Sequence, residues 1–460
     1  MSISIRQLTR VNPLALMVVV SCTIAFGGHA RAQSTPISLH PDNPRYLFWR
    51  GKPTVLITSG EHYGAVMNKP FDYIAYLDAL QSLGFNLTRV FSGLYCEKVG
   101  DFGIANNTLA PTEGNLICPF ARSDMPGYAN GGNKFDLTSW DEAYFDRLKD
   151  FVAAAGKRGI VVEYTFFCPY YAPSMWSLSP FNPENNVNSI DLQQPPVKPY
   201  RAFGLGYLVH PALFPFQKKF IRKVVTELKN ADNLYYEICN EAYGVPSKWQ
   251  HEITQVIVGV ENELSCKHLI AQNTHPVYED VHPGVSIYNY HPLAVVVDMK
   301  KDWRLVLQEG YSKNKLAALD ETGPSGGPPG SGTPSFDYRC WGWVNLLGGG
   351  AIYNNLDYAF HVKYPQGGGD VTWNQAGRMD AMRKQLRILK DFMEGIDFIH
   401  MKPDTALVKG GVPAGGAAFV LAKSGEAYAI YLYGGKQATL ILDVPAGRYR
   451  AEWVLSLIHI

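Results

Sequence analysis

The chain has 460 residues, of which 46% are hydrophobic and 18% are charged, and its formal net charge is +1 at pH 7. A chain of this length and apolarity can form one large domain and a smaller one, each with a core. Because the charge is nearly balanced and no run of Lys or Arg occurs, the sequence lacks the basic segments that bind nucleic acid, and we expect no nucleic-acid partner.

Residues 1–32 have the pattern of an export signal. Arg6 and Arg10 precede an apolar segment over 14–26, and small residues flank a cleavage point after Ala32. The apolar segment is too short to span a bilayer. The residues before Cys22 also resemble a lipoprotein cleavage box, so a lipid anchor at Cys22 is the alternative; the apolar run continues past it and favours cleavage after Ala32. We predict an exported protein, periplasmic or extracellular, without a membrane span.

Seven cysteines occur in the chain, and none has the CxxC or Cys/His spacing of a zinc site. We therefore expect no metal, and no motif indicates a cofactor. In an oxidising compartment, Cys96 and Cys118 could close a disulfide within one loop, which would contribute about 3 kcal/mol through loop entropy. Two free thiols are the alternative. Residues 455–460 are expected to be a sequencing artefact at the end of a truncated reading frame.

After the leader, short β-rich apolar runs alternate with helical patterns, which is typical of parallel βα units. The predicted strands are 54–60, 86–92, 159–167, 234–241, 268–273, 285–291, 315–321 and 351–356. The predicted helices are 71–83, 144–155, 211–228, 247–264 and 380–392. The fifth unit is the weakest, because little helix fits between 273 and 285. Eight βα units and the absence of a GxGxxG motif predict a (β/α)8 TIM barrel over 33–400.

Two connections, 93–139 and 168–210, are much longer than ordinary βα loops. Both follow predicted strands, so they should lie at the C-terminal face of the barrel, where barrel enzymes hold their active sites. From about residue 401, short strands separated by Gly-rich turns predict a small, truncated antiparallel β domain over 401–454.

Two of the predicted strands end in a glutamate. Strand 4 ends in the sequence YEICNE, which closes with Asn240 and Glu241, and strand 7 ends in Asp320 and Glu321. Because the C-terminal ends of barrel strands meet at one face, the two glutamates can face a shared cleft. Carboxylates about 5 Å apart suit a reaction in which one protonates a leaving oxygen and the other attacks a carbon.

The order of these motifs over about 39–395 resembles the clan-A glycoside hydrolases, particularly the family 5-like cellulases and mannanases. YEICNE is the most specific point, since its Asn-Glu matches the family's acid/base motif and Glu321 stands where the family has its nucleophile. Arg89 is similar to the strand-2 arginine and His291 to the strand-6 histidine. The resemblance implies a retaining glycosidase with a carbohydrate substrate, in which Glu241 is the acid/base and Glu321 the nucleophile.

The chain departs from the family pattern at three places. Ala242 replaces the proline after Asn-Glu, and strand 8 lacks the platform tryptophan. The tyrosine after the strand-6 histidine is also missing, so Tyr288 or Tyr290 is expected to hydrogen-bond the nucleophile instead. These departures bear on the substrate more than on the reaction.

Physical chemistry gives the remaining site residues expected roles. Asn240 should hydrogen-bond the sugar 2-hydroxyl, a contact that strengthens as oxocarbenium charge develops. Arg89 should lower the pKa of Glu321 by about 1–3 units. Glu241 must stay protonated at working pH.

Four further residues are assigned from their positions. Glu237 is predicted to point into the barrel and to pair with Arg89, because a buried carboxylate needs a cation. Asp320 is expected to point away from the neighbouring glutamate by strand alternation. His62, which follows strand 1, is expected to line the cleft or to be structural. Trp176 is expected to stack on a sugar ring or to belong to the core.

The two long loops are expected to wall one end of the cleft, so that Tyr170, Tyr171 and Trp176 face a bound sugar. Packing outward against the barrel is the alternative. Two rival functions remain. A non-catalytic carbohydrate-binding barrel would bind sugar without turnover. A metal-dependent amidohydrolase would need an HxH pair after strand 1, where this chain has the single His62.

Overall fold

The computed structural model describes residues 2–4, 35–192, 205–242, 244–273, 280–291, 311–322, 334–368, 379–434 and 437–454. Apart from 2–4, the predicted leader with Cys22 lies outside the described residues, as do 455–460. The strands are β1 (Ser2–Ser4), β2 (Ser38–Leu39), β3 (Leu47–Trp49), β4 (Lys52–Thr54), β5 (Leu56–Gly60), β6 (Leu87–Phe91), β7 (Phe120–Pro126), β8 (Asn133–Trp140), β9 (Val161–Phe167), β10 (Leu234–Cys239), β11 (Leu269–Asn273), β12 (Ile287–Asn289), β13 (Leu316–Thr322), β14 (Ile352–Leu356), β15 (Lys402–Pro403), β16 (Val408–Gly410), β17 (Ala417–Lys423), β18 (Ala427–Tyr433) and β19 (Thr439–Leu442).

Among the described residues, eight of these strands form a parallel sheet in the order β5-β14-β13-β12-β11-β10-β9-β6. Its two ends approach each other through Asn86, whose side-chain oxygen accepts a hydrogen bond from the Ile57 amide at 2.9 Å. The sheet is therefore a nearly closed barrel, and each barrel strand lies within a range predicted from the sequence, except that β13 extends one residue further, to Thr322. The predicted TIM barrel is confirmed.

The helices surround the barrel and alternate with its strands. They are α1 (Tyr73–Ser82), α2 (Glu142–Lys157), α3 (Pro173–Trp176), α4 (Leu205–Leu208), α5 (Phe214–Leu228), α6 (Ser247–Leu264), α7 (Pro334–Leu347) and α8 (Met379–Glu394). The Asp72 side chain caps α1 by accepting a hydrogen bond from the Ala75 amide, and the chain leaves this helix through Gly84 at φ +79°. In the part of the chain that is described, no helix has the length and apolarity needed to cross a membrane.

The small C-terminal sheets pack against α7. Strands β15, β17 and β18 form one antiparallel sheet, and β16 and β19 form another, which β1 joins through β19. The ring of Trp343 in α7 stacks on Tyr431 of β18 at 5.4 Å and 9°, and the Tyr431 hydroxyl donates to the Cys340 sulfur at 3.2 Å. Trp343 is therefore a core residue that joins the barrel to the antiparallel β domain, which is also confirmed.

The two long connections pack against each other. The first contains the β7–β8 hairpin, and the second contains α3 and a short 3-10 helix over Pro183–Asn185. The Tyr128 hydroxyl donates to the Leu178 carbonyl at 2.8 Å, and the Leu137 amide donates to the Asn188 side chain at 2.8 Å. Both connections follow barrel strands, so together they form a wall at the C-terminal face. Cys96 and Cys118 are buried as free thiols in the first connection and form no disulfide in the structure.

Candidate active site

Arg89 of β6 forms the floor of the site. Its guanidinium is fully buried and lies 3.0 Å from a carboxylate oxygen of Glu321, 3.4 Å from Asp320 and 3.7 Å from Glu163. It also pairs with Glu237 of β10, as the sequence predicted. One arginine thus faces four carboxyl groups from three other strands, so its positive charge is shared among them.

Glu241 and Glu321 face each other above this floor. One carboxylate oxygen of each lies within 4.8 Å of the other and of a ring nitrogen of His291. His291 Nδ1 lies 3.5 Å from Glu241 Oε1 and 3.9 Å from Glu321 Oε2. The side chains of Glu241 and Glu321 are 21% and 16% exposed, so both can reach a ligand in the cleft.

The backbone at Glu241 is unusual. Its φ is +39°, a left-handed conformation that is unfavourable for a residue with a Cβ. The turn immediately follows β10, and it directs this carboxylate toward His291 rather than along the strand. Strained non-glycine residues are concentrated at functional sites, which agrees with the assignment made from the sequence.

Asp320 differs from its expected orientation. Leu319 of β13 pairs with Tyr353 of β14, and Thr322 pairs with Asn355. The chain therefore advances three residues along β13 while it advances two along β14. This bulge breaks the alternation, and Asp320 therefore points into the barrel beneath the neighbouring glutamate. The expectation that it points away from Glu321 is wrong.

Asp320 holds His291 from below. Its Oδ1 lies 2.9 Å from His291 Nε2, and its Oδ2 accepts a hydrogen bond from Asn289 Nδ2 at 2.7 Å. Burial lowers the pKa of His291, but the negative charges of Asp320 and Glu321 outweigh this and raise it well above its usual value. Each ring nitrogen of His291 thus faces a carboxylate, Glu241 on one side and Asp320 on the other, and this arrangement favours the protonated ring.

The pKa values of the two glutamates are shifted in the directions opposite to the sequence expectation. Burial raises the pKa of Glu241, but the hydrogen bond and the charge of His291 outweigh it, so the pKa lies below its usual value. For Glu321, burial prevails over His291 and, together with the charge of Glu241, raises the pKa. Arg89 also lowers the pKa of Glu321, but burial, His291 and Glu241 have larger effects, and the charge of Arg89 faces four carboxyl groups.

Asn240 links the floor to the wall of the site. Its side-chain oxygen accepts a hydrogen bond from Arg89 Nη2 at 2.9 Å, and its Nδ2 donates to the Tyr171 hydroxyl at 3.0 Å. Tyr171 is also one of the groups that lower the pKa of Glu241 against its burial. Tyr171 belongs to the second long connection, and the sequence indicated only that it could face the cleft.

Tyr288 is not part of this cluster. The next residue, Asn289, points into the barrel and donates to Glu237 at 3.2 Å, so Tyr288 points to the opposite face of β12. Its ring lies 6.0 Å from Lys313 Nζ, beside the beginning of β13. The expectation that Tyr288 bonds the nucleophile is wrong. Tyr63 lies near the nucleophile position instead, because its ring is 4.6 Å from the Arg89 guanidinium. Burial raises the pKa of Tyr63, and the charge of Glu321 raises it further.

His62 lies at the other side of Glu321. Its Nε2 is 3.4 Å from a carboxylate oxygen of Glu97, and its ring lies 5.2 Å from that of Tyr358. Burial lowers the pKa of His62, whereas the charges of Glu97 and Glu321 raise it, and the net shift is upward. His62 is therefore a buried residue whose ring is close enough to Glu321 for the two charges to interact. Sequence reasoning missed Glu97, which lies in a long loop without a recognisable motif.

Trp176 is placed differently from a sugar platform. It is buried, and its ring stacks on Tyr207 with centroids 4.7 Å apart and an angle of 2°. Tyr170 contacts it edge-on at 5.0 Å, and the Tyr170 hydroxyl is itself paired with Ser179. Both rings therefore stabilise the second long connection, so the expectation that they face a sugar is wrong.

The donor groups also form sets that could hold a metal ion. Glu241, His291 and Glu321 form one set, and Glu237, His291 and Asp320 form another. His291 is common to both sets and its pKa is raised by the neighbouring carboxylates against its burial, and Arg89 already supplies a positive charge at this position. A metal ion would have to displace a proton and meet a fixed cation, so these residues suit proton transfer better than metal binding.

Comparison with known proteins agrees with this fold. Residues 115–300 match a family described as a domain of unknown function, DUF6298. No curated protein sequence matches the chain.

Three solved structures illustrate the likeness. A candidate glycoside hydrolase from Bacteroides vulgatus matches with a TM-score of 0.55 and 15% identity, over 86% of this chain and 68% of that one. A glycoside hydrolase family 5 mannosidase from Rhizomucor miehei matches with a TM-score of 0.53 and 11% identity, over 79% and 99%. A family 5 glycoside hydrolase from Bacteroides vulgatus matches with a TM-score of 0.52 and 13% identity, over 84% and 78%. At these identities the likeness concerns the fold alone. The chain has the fold of family 5-like glycoside hydrolases.

Proposed function

We propose that the chain is a retaining glycoside hydrolase that cleaves O-glycosidic bonds of an oligo- or polysaccharide. The observation that carries the proposal is the pair of carboxylates at the ends of β10 and β13, whose nearest oxygens lie within 4.8 Å. This separation suits double displacement, because it leaves room for the anomeric carbon but not for an intervening water. The similar solved structures described as glycoside hydrolases support the same reaction class.

In this mechanism Glu321 attacks the anomeric carbon and Glu241 protonates the leaving oxygen, then deprotonates water in the second step. Reaction requires a proton on Glu241 and none on Glu321, whereas the free site favours the opposite arrangement. The two groups share His291 and titrate as a pair, so a single proton on the pair can occupy either position. We propose that a sugar oxygen placed against Glu241 draws the proton to that side.

The roles can be tested with two variants and azide. Glu241→Ala should retain activity on aryl glycosides with very good leaving groups, and azide should accelerate it and give the glycosyl azide of retained configuration. Glu321→Ala should lose activity, and azide should give only the inverted product. Glu263→Ala, which removes an exposed carboxylate of α6, is the matched control and should resemble the wild type.

The first substrates should be 4-nitrophenyl β-glycosides of mannose, glucose, galactose and xylose, followed by polysaccharides. β-Mannosides come first because one similar structure is a mannosidase in complex with mannosyl-fructose. The anomeric configuration of the first product, measured by NMR, should be retained. An inverted product would refute double displacement, and sugar binding without turnover would favour a non-catalytic carbohydrate-binding barrel.

We also propose that the chain is exported to the periplasm or the extracellular space. The support is the leader pattern over residues 1–32. N-terminal sequencing of the exported protein should begin at Gln33. A mature chain that begins at an acylated Cys22 would instead establish the lipid anchor.

A further inference from the structure

Phe102 is an exposed aromatic residue in the first long connection. Its side chain is 50% exposed, and its φ is +54° in the short 3-10 turn Asp101–Gly103. Exposing a phenyl ring and holding a non-glycine residue in the left-handed region are both unfavourable for folding. A residue that combines both features is a candidate for a functional role.

The turn that carries Phe102 is held in place on both sides. The Asp101 carboxylate accepts a hydrogen bond from the Lys98 amide at 2.8 Å, and Ile104 after the turn is buried. Gly100 precedes the turn at φ +93°, so the chain reverses sharply and displays the ring. The ring is thus presented by an ordered turn that would not need to fold on binding.

A chain of contacts joins this ring to one of the two candidate catalytic carboxylates. Phe102 meets Tyr171 edge-to-face, with centroids 5.9 Å apart and an angle of 78°. The hydroxyl of Tyr171 accepts a hydrogen bond from Asn240, the residue before Glu241, and Tyr171 is one of the groups that lower the pKa of Glu241 against its burial. Phe102 therefore lies at the rim of the cleft on the Glu241 side, while His62 and Glu97 lie on the side of Glu321.

Three other aromatic residues of the two long connections are packed against the rest of the protein. Tyr95, Tyr170 and Trp176 are buried, and Trp176 stacks on Tyr207. Phe102 differs from them because half of its surface faces solvent. A half-exposed apolar ring suits the C–H face of a sugar ring.

We propose that Phe102 forms an aglycone subsite, in which it stacks on the sugar ring that leaves with the oxygen protonated by Glu241. This inference rests on the proposed function and adds the side of the cleft on which the leaving sugar is held. In a retaining glycosidase the acid lies on the leaving-group side of the bond. Phe102 therefore selects substrates whose leaving group carries a second ring.

The test compares two substrates of the sugar that is hydrolysed fastest in the aryl glycoside panel. The glycosyl fluoride has no aglycone ring, whereas the linear tetrasaccharide places a sugar ring on the leaving side. Phe102→Ala should lower kcat/KM for the tetrasaccharide roughly tenfold and leave kcat/KM for the fluoride unchanged. Phe102→Trp should preserve activity on both substrates.

Two further variants separate the ring from the backbone. Phe102→Asn removes the ring but tolerates the left-handed conformation, so it should behave as Phe102→Ala does. Met125→Ala, which removes an exposed apolar side chain elsewhere in the same connection, should leave both substrates unaffected.

The possible outcomes are distinct. Three results would overturn the aglycone subsite and leave the proposed function standing. They are equal losses on the fluoride and the tetrasaccharide, a loss in the Ala variant but not in the Asn variant, and hydrolysis of the fluoride alone by the wild type. Absence of turnover on every panel substrate would overturn the proposed function itself. A loss confined to the tetrasaccharide in both ring-deleted variants supports the subsite.

Discussion

Replacing His291 with Asn removes the positive charge that lies between Glu241 and Glu321. His291 Nδ1 is 3.5 Å from the first carboxylate and 3.9 Å from the second. A nearby cation favours the ionised form of a carboxyl group, so its loss raises the pKa of both glutamates. The effect should be larger for Glu241, because His291 also hydrogen-bonds that residue.

The magnitude follows from the geometry. Two unit charges about 4 Å apart interact by about 1 kcal/mol in water and by about 4 kcal/mol at an effective dielectric constant near 20. The two carboxylates are 21% and 16% exposed, so the interaction lies between these limits. At about 1.4 kcal/mol per pKa unit, we expect an upward shift of roughly 1–2 units.

The assay is the pH dependence of kcat/KM on an activated aryl glycoside, measured for the wild type and for His291→Asn. Both limbs of the profile should move to higher pH, and they belong to the coupled pair rather than to either residue alone. His251→Asn, a substitution in α6, is the matched control and should leave the profile unchanged. Unshifted limbs in His291→Asn would refute the assignment of His291 as the cation that controls the pair.

Two stability predictions follow from other buried groups. Burial raises the pKa of Glu61 from 4.5 to about 7 against the hydrogen bond from Thr108, so the folded state keeps a proton that the unfolded chain loses. The free energy of unfolding should therefore fall by about 3 kcal/mol as pH rises from 4.5 to 7, and Glu61→Gln should remove this fall. Denaturation curves that give the same pH dependence of the unfolding free energy for both proteins would contradict the prediction. Trp343→Ala should cost about 3–5 kcal/mol in urea unfolding, because it deletes the buried stack on Tyr431. A loss below about 1 kcal/mol would show that the C-terminal sheet does not depend on this contact.

The sequence by itself determined the barrel and the identity of the facing glutamates. Short apolar strands alternating with amphipathic helices have few other ways to bury both faces of a parallel sheet. Glu241 and Glu321 could be selected because each closes such a strand, and strand ends converge at one face of a barrel. The pairing of Glu237 with Arg89 was also predictable, since a buried carboxylate requires a cation.

The tertiary structure alone decided the details that control reactivity. The bulge in β13 places Asp320 under His291, and a register shift of one residue leaves no signal in the hydrophobic pattern. The pKa values of the glutamate pair depend on the sum of charges from residues far apart in the sequence, including an arginine that faces four carboxyl groups. Tyr171 and Phe102 reach the site from loops whose paths are set by packing over long sequence distances, which local propensity does not encode.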